Sequence, residues 1–547
     1  MTDLKSSVPL LVCAFLAAGT TGGTSYAFGI YGEALKEELL LTQSQLDTIS
    51  SASFTAGILS WIPGLFVDKC GEKCSMVGGG FLGASALLGF WVVAREFVIV
   101  PRDYLVPILS AFGVLIFVAC ALVTGSVFKI IVANTKSVHK GSAVGAAKGF
   151  VGLGSGAYAV LFEALDRKSD LDFLPMAAFF FLAAATLPAL CLLPGKREET
   201  ARVDLSTSAH YSSLYMGLIA MAVLVVGQSV VELISPAEGE LNDQREGPDY
   251  IMAAVVPFVW FGPILGLLIL PAATHTVLPT DIQDDDDEAP LTDALAKVVQ
   301  APFKDEPASR EECEYGEVQD ISVSEQSSVV APSGDRSLVQ MLGTPSAWLI
   351  LWTCTILVGG GTVMTNNLGQ MTEALRFDPK VVPAALSLFS VAQSFARVVT
   401  GSLSSLVKRR TSFFIYASFA GLAAHSVLAI ATDEMSFIGG VFLSGLAFGM
   451  VWPLMVLVTG DLFGTENVGA NYMFYDGLTS ALGTLALSKF VAQRVYEDNI
   501  VDGGDGVTCY GPECFQMTNW IIAGLSVTCI LTSLCLQCMP LTRQTYG

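Results

Sequence analysis

Charge is what this sequence has least of. Only 14% of its 547 residues are Asp, Glu, Lys or Arg, where a soluble globular chain carries about 25%. Histidine is scarcer, at four scattered positions, and no His, Cys and carboxylate residues recur at metal-ligand spacing. A glycine-rich phosphate loop and a nucleophile with its base are also missing. These absences exclude a soluble fold and leave nothing to run an enzyme reaction, hold a cofactor or metal, or grip nucleic acid. The first apolar block has no small-residue cleavage site and is too long for a signal-peptide core, so it reads as a retained helix.

Apolar residues fill the space, at 52% of the chain with a mean hydropathy of +0.58. They gather in blocks of the roughly 20 residues a helix needs to cross a bilayer, and lipid leaves the backbone no other way to pair its polar groups. The expected fold is an all-α polytopic membrane protein, with the lipid bilayer as its first partner. Fourteen spans are expected, near 8–32, 46–67, 74–95, 104–132, 142–165, 172–194, 212–234, 248–271, 347–370, 381–406, 412–431, 435–459, 467–492 and 517–539. They divide as an N-terminal six-helix bundle over 1–195, a linker with two extra helices over 196–271, an acidic loop over 272–345, and a C-terminal six-helix bundle over 346–547.

Lys and Arg near helix ends set orientation. The clusters Lys69 and Lys73, Lys136 and Lys140, Lys196 and Arg197, and Lys408 to Arg410 share one side, which makes it, with both termini, the cytoplasmic side. The net charge of −21 sits largely in one place: between Ala272 and Pro345, sixteen acidic residues face four basic ones, which gives −12. Such a stretch cannot form a core; it is expected to be a disordered linker, with docking of a cytoplasmic regulator as the sharper alternative. Cysteines are mostly single and intrahelical, but Cys509 and Cys514 in "TCYGPEC" either stay reduced or bridge if that side is oxidising. Cys535 and Cys538 read as helix residues before acylation sites.

Internal echoes follow one order in the two halves. "GLFVDKCGEK" (Gly64 to Lys73) stands between spans 2 and 3, and "GSLSSLVKRR" (Gly401 to Arg410) between spans 10 and 11. "VGA" recurs in spans 5 and 13, and "EAL" after spans 1 and 9. Weakly similar halves are a transporter trait. "GLFVDKCGEK" resembles the G-x-x-x-D-[RK]-x-G-x-[RK] loop of the major facilitator superfamily, with Gly64, Asp68, Lys69, Gly71 and Lys73 at its defined positions. "GGGTVMTNNLGQMTEAL" (Gly359–Leu375) and "AFGMVWPLMVLVTGDLFG" (Ala447–Gly464), with "SYAFGIYGEAL", "KGFVGLGSG" and "CYGPEC", resemble its nodulin-like branch over nearly all the chain except the acidic loop. The resemblance implies a two-bundle facilitator of alternating access whose loop motif serves as a conformational gate. It implies no particular substrate.

Ionisable residues inside a span cost roughly 2.5–3.5 kcal/mol at helix centre and so mark cavities or partners. Lys129 and Lys489 lie near helix ends, from which they are expected to snorkel to water. Arg397 sits about 13 Å deep and Lys148 about 9 Å, at 1.5 Å per residue. Lys148 is framed by Gly145, Gly149, Gly152 and Gly156, whose spacing invites a second helix backbone. Lys148 and Arg397 are therefore expected on the aqueous path, with Asp476, Asn366, Asn367 and Gln370 as further contacts for solute or between helices. Glu163 reads as a helix-end carboxylate, and Trp452 and Pro453 as shape-setting residues. Two deep cations point to a secondary or facilitative transporter of a small, carboxylate-like anionic solute, with a coupled proton as an option. The alternatives are a metal or cation transporter, or a non-transporting sensor or scaffold signalling through the acidic loop.

Overall fold

A chain this apolar can satisfy its backbone in lipid only as helix, and a computed structural model of the protein consists almost wholly of helices. It describes residues 5–25, 28–165, 169–194, 202–234, 249–270, 334–500 and 508–546. The acidic segment from 271 to 333, and with it any regulator site there, lies outside the described residues.

Each expected span has a helical counterpart, here numbered α1 to α14. α1 is Val8–Ser25, followed by Phe28–Glu38; α2 runs Gln43–Thr55 and, after a break, Trp61–Cys70; α3 is Glu72–Ala94, α4 Arg102–Asn134 and α5 Ser137–Ala164. α6 joins Phe173–Phe181 to Leu187–Leu192 through a π-helical turn. α7 is Ser208–Ile234 and α8 Tyr250–Gly266. After a one-turn helix, Leu338–Leu342, come α9 (Pro345–Ala374), α10 (Val381–Ser404), α11 (Ser412–Ile430) and α12 (Glu434–Phe463). α13 (Val468–Gly483) continues as a π-helix over Thr484–Ala492 and then Gln493–Asp498, and α14 is Glu513–Cys538.

Among the described residues, eleven helices are long and apolar enough to cross a membrane, or twelve if the two arms of α2, bent by 53°, count as one span. The expected fourteen is thus reached in helices but not in crossings by this measure. α8 stops at 17 residues, and the α-helical part of α13 ends after 16. The break in α2 falls at the 3-10 turn Ala56–Leu59, where the ring of Pro63 is incompatible with the carbonyl four residues before it.

Within the first six helices, α1 packs on α4 and α5, and α3 on α4 and α6; in the last six, α10 and α11 pack on α12, and α14 on α9 and α11. The two groups meet at two seams, α2 with α13 and α5 with α10. Glycines make both. A Cβ at Gly64 would lie 2.5 Å from the Gly469 carbonyl oxygen, and one at Gly401 would lie 2.5 Å from the Gly145 Cα. In lipid, where tails are as apolar as leucine, such backbone approach is what holds helices together.

α7 packs on both α5 and α10, and α8 packs on α7 and α5. The Tyr215 hydroxyl reaches the Ser142 carbonyl at 3.4 Å and the Ser402 hydroxyl at 2.7 Å, so α7 touches both sides of that seam. The ends of the described chain meet at one end of the bundle, here the terminal end. Lys5–Ser6 pairs in parallel with Arg202–Val203. Asp204 accepts from the Ser7 hydroxyl and from the Lys136 amide, and Asp461 pairs with Arg410 and accepts from the Tyr546 hydroxyl. At the opposite, distal end Cys509 and Cys514 form a disulfide. Inside that loop Gly511, at φ 111°, donates its amide to Ala374 and closes the C-terminus of α9.

Candidate functional site

A central cavity of about 90 Å³ lies between the two helix groups. Hydroxyls from α1 and α2 (Thr21, Thr24, Ser50, Ser53) and aromatic rings (Tyr31, Phe54, Phe90, Phe117, Trp452) line its wall. Lys148, Arg397 and Asp476 are the charged residues of that wall.

The glycines of α5 explain how Lys148 and Arg397 come together. A Cβ at Gly145 would meet the Arg397 carbonyl at 3.0 Å, one at Gly149 the Val398 side chain at 2.9 Å, and one at Gly152 the Arg397 guanidinium at 2.8 Å. The helix backbone invited by that spacing is α10, and Gly152 leaves the space that the guanidinium occupies. Arg397 donates to the Lys148 carbonyl at 3.0 Å and to Gln393 at 2.8 Å, with its guanidinium 5.4 Å from the Trp452 ring.

Lys148 is 2% exposed. Its ammonium pairs with Asp476 at 3.0 Å and donates to the Tyr472 hydroxyl, which in turn donates to Asp476. Phe128, Trp452 and Tyr472 present ring faces 4.5 to 4.9 Å from Nζ, a cation–π box of the kind that offsets desolvation of an ammonium. Lys148 therefore enters the cavity wall as one end of an ion pair, not as a lone cation. Two cations and one carboxylate leave the wall one formal positive charge.

Asp68 holds the terminal end of the α2–α13 seam. Its carboxylate accepts from the Gly469 amide at 3.1 Å and the Ala470 amide at 2.7 Å, at the first turn of α13, and pairs with Lys129 at 2.8 Å. A carboxylate there meets amides without intrahelical partners and the positive end of the helix dipole. Lys129 does not snorkel to water as expected from its place near a helix end; it turns inward, because Asp68 and Glu72 (3.9 Å) offer a nearer partner. Gly71 has φ 85° between α2 and α3, a conformation glycine adopts without strain. Lys73 donates to the Leu190 and Leu193 carbonyls at the end of α6, and Lys69 is exposed. At the α5–α10 seam the counterpart is neutral. Four residues after Gly401, as Asp68 follows Gly64, the Ser405 hydroxyl accepts from the Gly141 amide at 3.1 Å.

The structure places Asn366, Asn367 and Gln370 away from the cavity. Asn366 and Asn367 reach the Ser488 hydroxyl of the α13 π-helix at 3.4 and 3.3 Å, and Gln370 is exposed. Glu163 is also exposed, at the distal end of α5. Trp452, read from sequence as shape-setting, borders both cations. Tyr472 and Gln393 went unremarked, though each stands four residues before a charged residue on its own helix, Asp476 and Arg397, and so shares its face.

The Major Facilitator Superfamily model matches residues 10–488. A protein of Arabidopsis thaliana, Protein NUCLEAR FUSION DEFECTIVE 4, is 23% identical over 562 residues, which cover 96% of this chain and 88% of that one. In fold the chain is similar to the proton:xylose symporter XylE, solved bound to 6-bromo-6-deoxy-D-glucose, with a TM-score of 0.54, 11% identity, and 96% and 94% of the two chains covered. With a family model matched over most of its length, the chain belongs to the Major Facilitator Superfamily of multi-pass membrane transporters.

Proposed function

We propose that this transporter moves a small organic anion by alternating access, and that Arg397 is its anion-binding group. The observation that carries the reading is the charge of the cavity wall, two cations to one carboxylate, in a site whose aromatic and hydroxyl lining suits a carboxylate with a partly apolar body. The guanidinium would present its planar fork, which a carboxylate matches bidentately, by exchanging its bonds to the Lys148 carbonyl and Gln393 for the solute. Metal movement through Asp476 is disfavoured, since that carboxylate already accepts from Lys148 and Tyr472.

The halves 1–195 and 346–547 rock about the cavity in this reading, with 196–271 as an accessory helix pair. The terminal end, rich in Lys and Arg, faces the cytoplasm. Asp68 closes that end in the present form. A coupled proton would act at Asp476: its protonation removes the charge that holds Lys148, and so loosens a tie between α5 and α13.

Uptake of labelled small carboxylates into proteoliposomes tests the proposal. Arg397→Lys keeps the charge and loses the fork, so apparent affinity should fall roughly ten- to a hundredfold, the value of a charge-assisted hydrogen bond, while Arg397→Gln nearly abolishes uptake. Normal transport by folded Arg397→Gln, or competition only by neutral solutes, would sink the anion reading.

A further inference from the structure

The segment that leaves the acidic loop does not pass directly into α9. Gly334 to Ser337 crosses the turn between α12 and α13 and is bonded to it at three points. Asp335 accepts from the Glu466 amide at 3.1 Å, the Arg336 amide donates to the Phe463 carbonyl at 2.8 Å, and the buried Asn471 side chain donates to the Arg336 carbonyl at 2.9 Å. Gly464 is built for this crossing. Its φ is 87°, and a Cβ there would lie 2.1 Å from the Asp335 carboxylate. Ser337 then caps Leu338–Leu342, which packs against α9 and α13.

The turn so held is the one that Asp68 grips. Within six residues the strap takes the amide of 466 and the side chain of 471, and Asp68 takes the amides of 469 and 470 between them. We infer that Asp335 is a positioning residue for the gate: through the strap it fixes the first turn of α13 in the register at which Asp68 can accept both amides. The inference rests on reading the Asp68 contact as a gate. Its contribution is positional because Asp335 is exposed, so its charge is screened by water and salt over about 8–10 Å, whereas its hydrogen bond needs only the acceptor oxygen. The strap is also the C-terminal of the two points at which the acidic segment joins the described helices, so a pull on that end of the segment would reach the gate here.

Hydrogen exchange on the whole protein in nanodiscs separates gating from local loosening. The readout is residues 136–146 at the other seam, where the Gly141 amide is bonded to Ser405, whereas the strap's bonds are to residues 463–471; terminal-end opening exposes the seam, and local fraying of the strap does not. Asp335→Ala should speed exchange there roughly two- to tenfold, the worth of one side-chain hydrogen bond. Asp335→Asn, which keeps the acceptor, should stay near wild type. In an Asp68→Asn background Asp335→Ala should add nothing, since it acts through Asp68. Exchange at 136–146 unchanged by Asp335→Ala, or additive effects in the double variant, would overturn the inference, as would Asp335→Asn matching Asp335→Ala. If Asp68→Asn alone leaves 136–146 protected, the gate reading itself fails.

Discussion

Removing one member of the Lys148–Asp476 pair should have unequal consequences depending on which is removed. The partners are 3.0 Å apart, but the Lys148 side chain is 2% exposed and that of Asp476 18%. Breaking a buried ion pair by deleting one partner costs about 3–5 kcal/mol, mostly for the charge left behind. Asp476→Asn leaves an ammonium with ring faces and the Tyr472 hydroxyl but no counter-charge, and should sit high in that range. Lys148→Met leaves a carboxylate that still accepts from Tyr472 and touches cavity water, and should cost about 2–3 kcal/mol. The double variant, Lys148→Met with Asp476→Asn, leaves no uncompensated charge and should lose about 2–3 kcal/mol less than the sum of the two single losses. Denaturant unfolding of the four purified proteins in one detergent measures this. Equal losses for the two single variants, or a double variant that loses the sum, would refute the reasoning.

Gly469→Ala should part the α2–α13 seam at its terminal end, because a Cβ there meets the Asp68 carboxylate at 2.5 Å and the Gly64 carbonyl at 2.9 Å; overpacking of about 1–3 kcal/mol should appear as slower transport at equal expression. Tyr215→Phe removes the hydroxyl shared by α5 and α10 and should shift the terminal-end equilibrium toward opening by about 1 kcal/mol, read as faster exchange over 136–146. Deleting 281–333, which spares the strap, should leave melting temperature and basal uptake unchanged, and loss of the folded protein would show that the acidic segment is structural.

The helices were legible because lipid enforces them: every apolar block long enough to span has become helix, and composition alone locates such blocks. The place of Lys148 and Arg397 on one cavity wall was legible too, since charged residues inside a span turn to a cavity or a partner. What a single sequence withholds is rotation about each helix axis and the identity of the neighbour. Lys129 shows the cost. Its height near a helix end pointed to water, whereas its facing partner, Asp68, stands 61 residues away in the chain. Asn366 and Asn367 lie at a plausible height for solute contact but face Ser488. Aromatic residues are the least readable, because nothing in their spacing tells a core ring from the box around Lys148.

The hydroxyl of Tyr215 makes the two flanks of this transporter mechanically unlike. Two rigid bodies joined by matched contacts could swing apart evenly, like jaws. Here α7 is stitched to both jaws along one flank, at Tyr215 near the terminal end and by the Ser229–Ser387 hydroxyl pair farther up. The opposite flank carries an open, mostly apolar groove between α2, α4 and the Lys489 region of α13. In the proposed alternating access both seams part at the terminal end, but travel would be smaller where the stitching is and larger across from it, so the motion would be that of a book with a loose spine. A solute with an oily tail would then have one side door, along the α2–α13 edge, and a blocking lipid or antibody would have to sit on that edge to stop the swing.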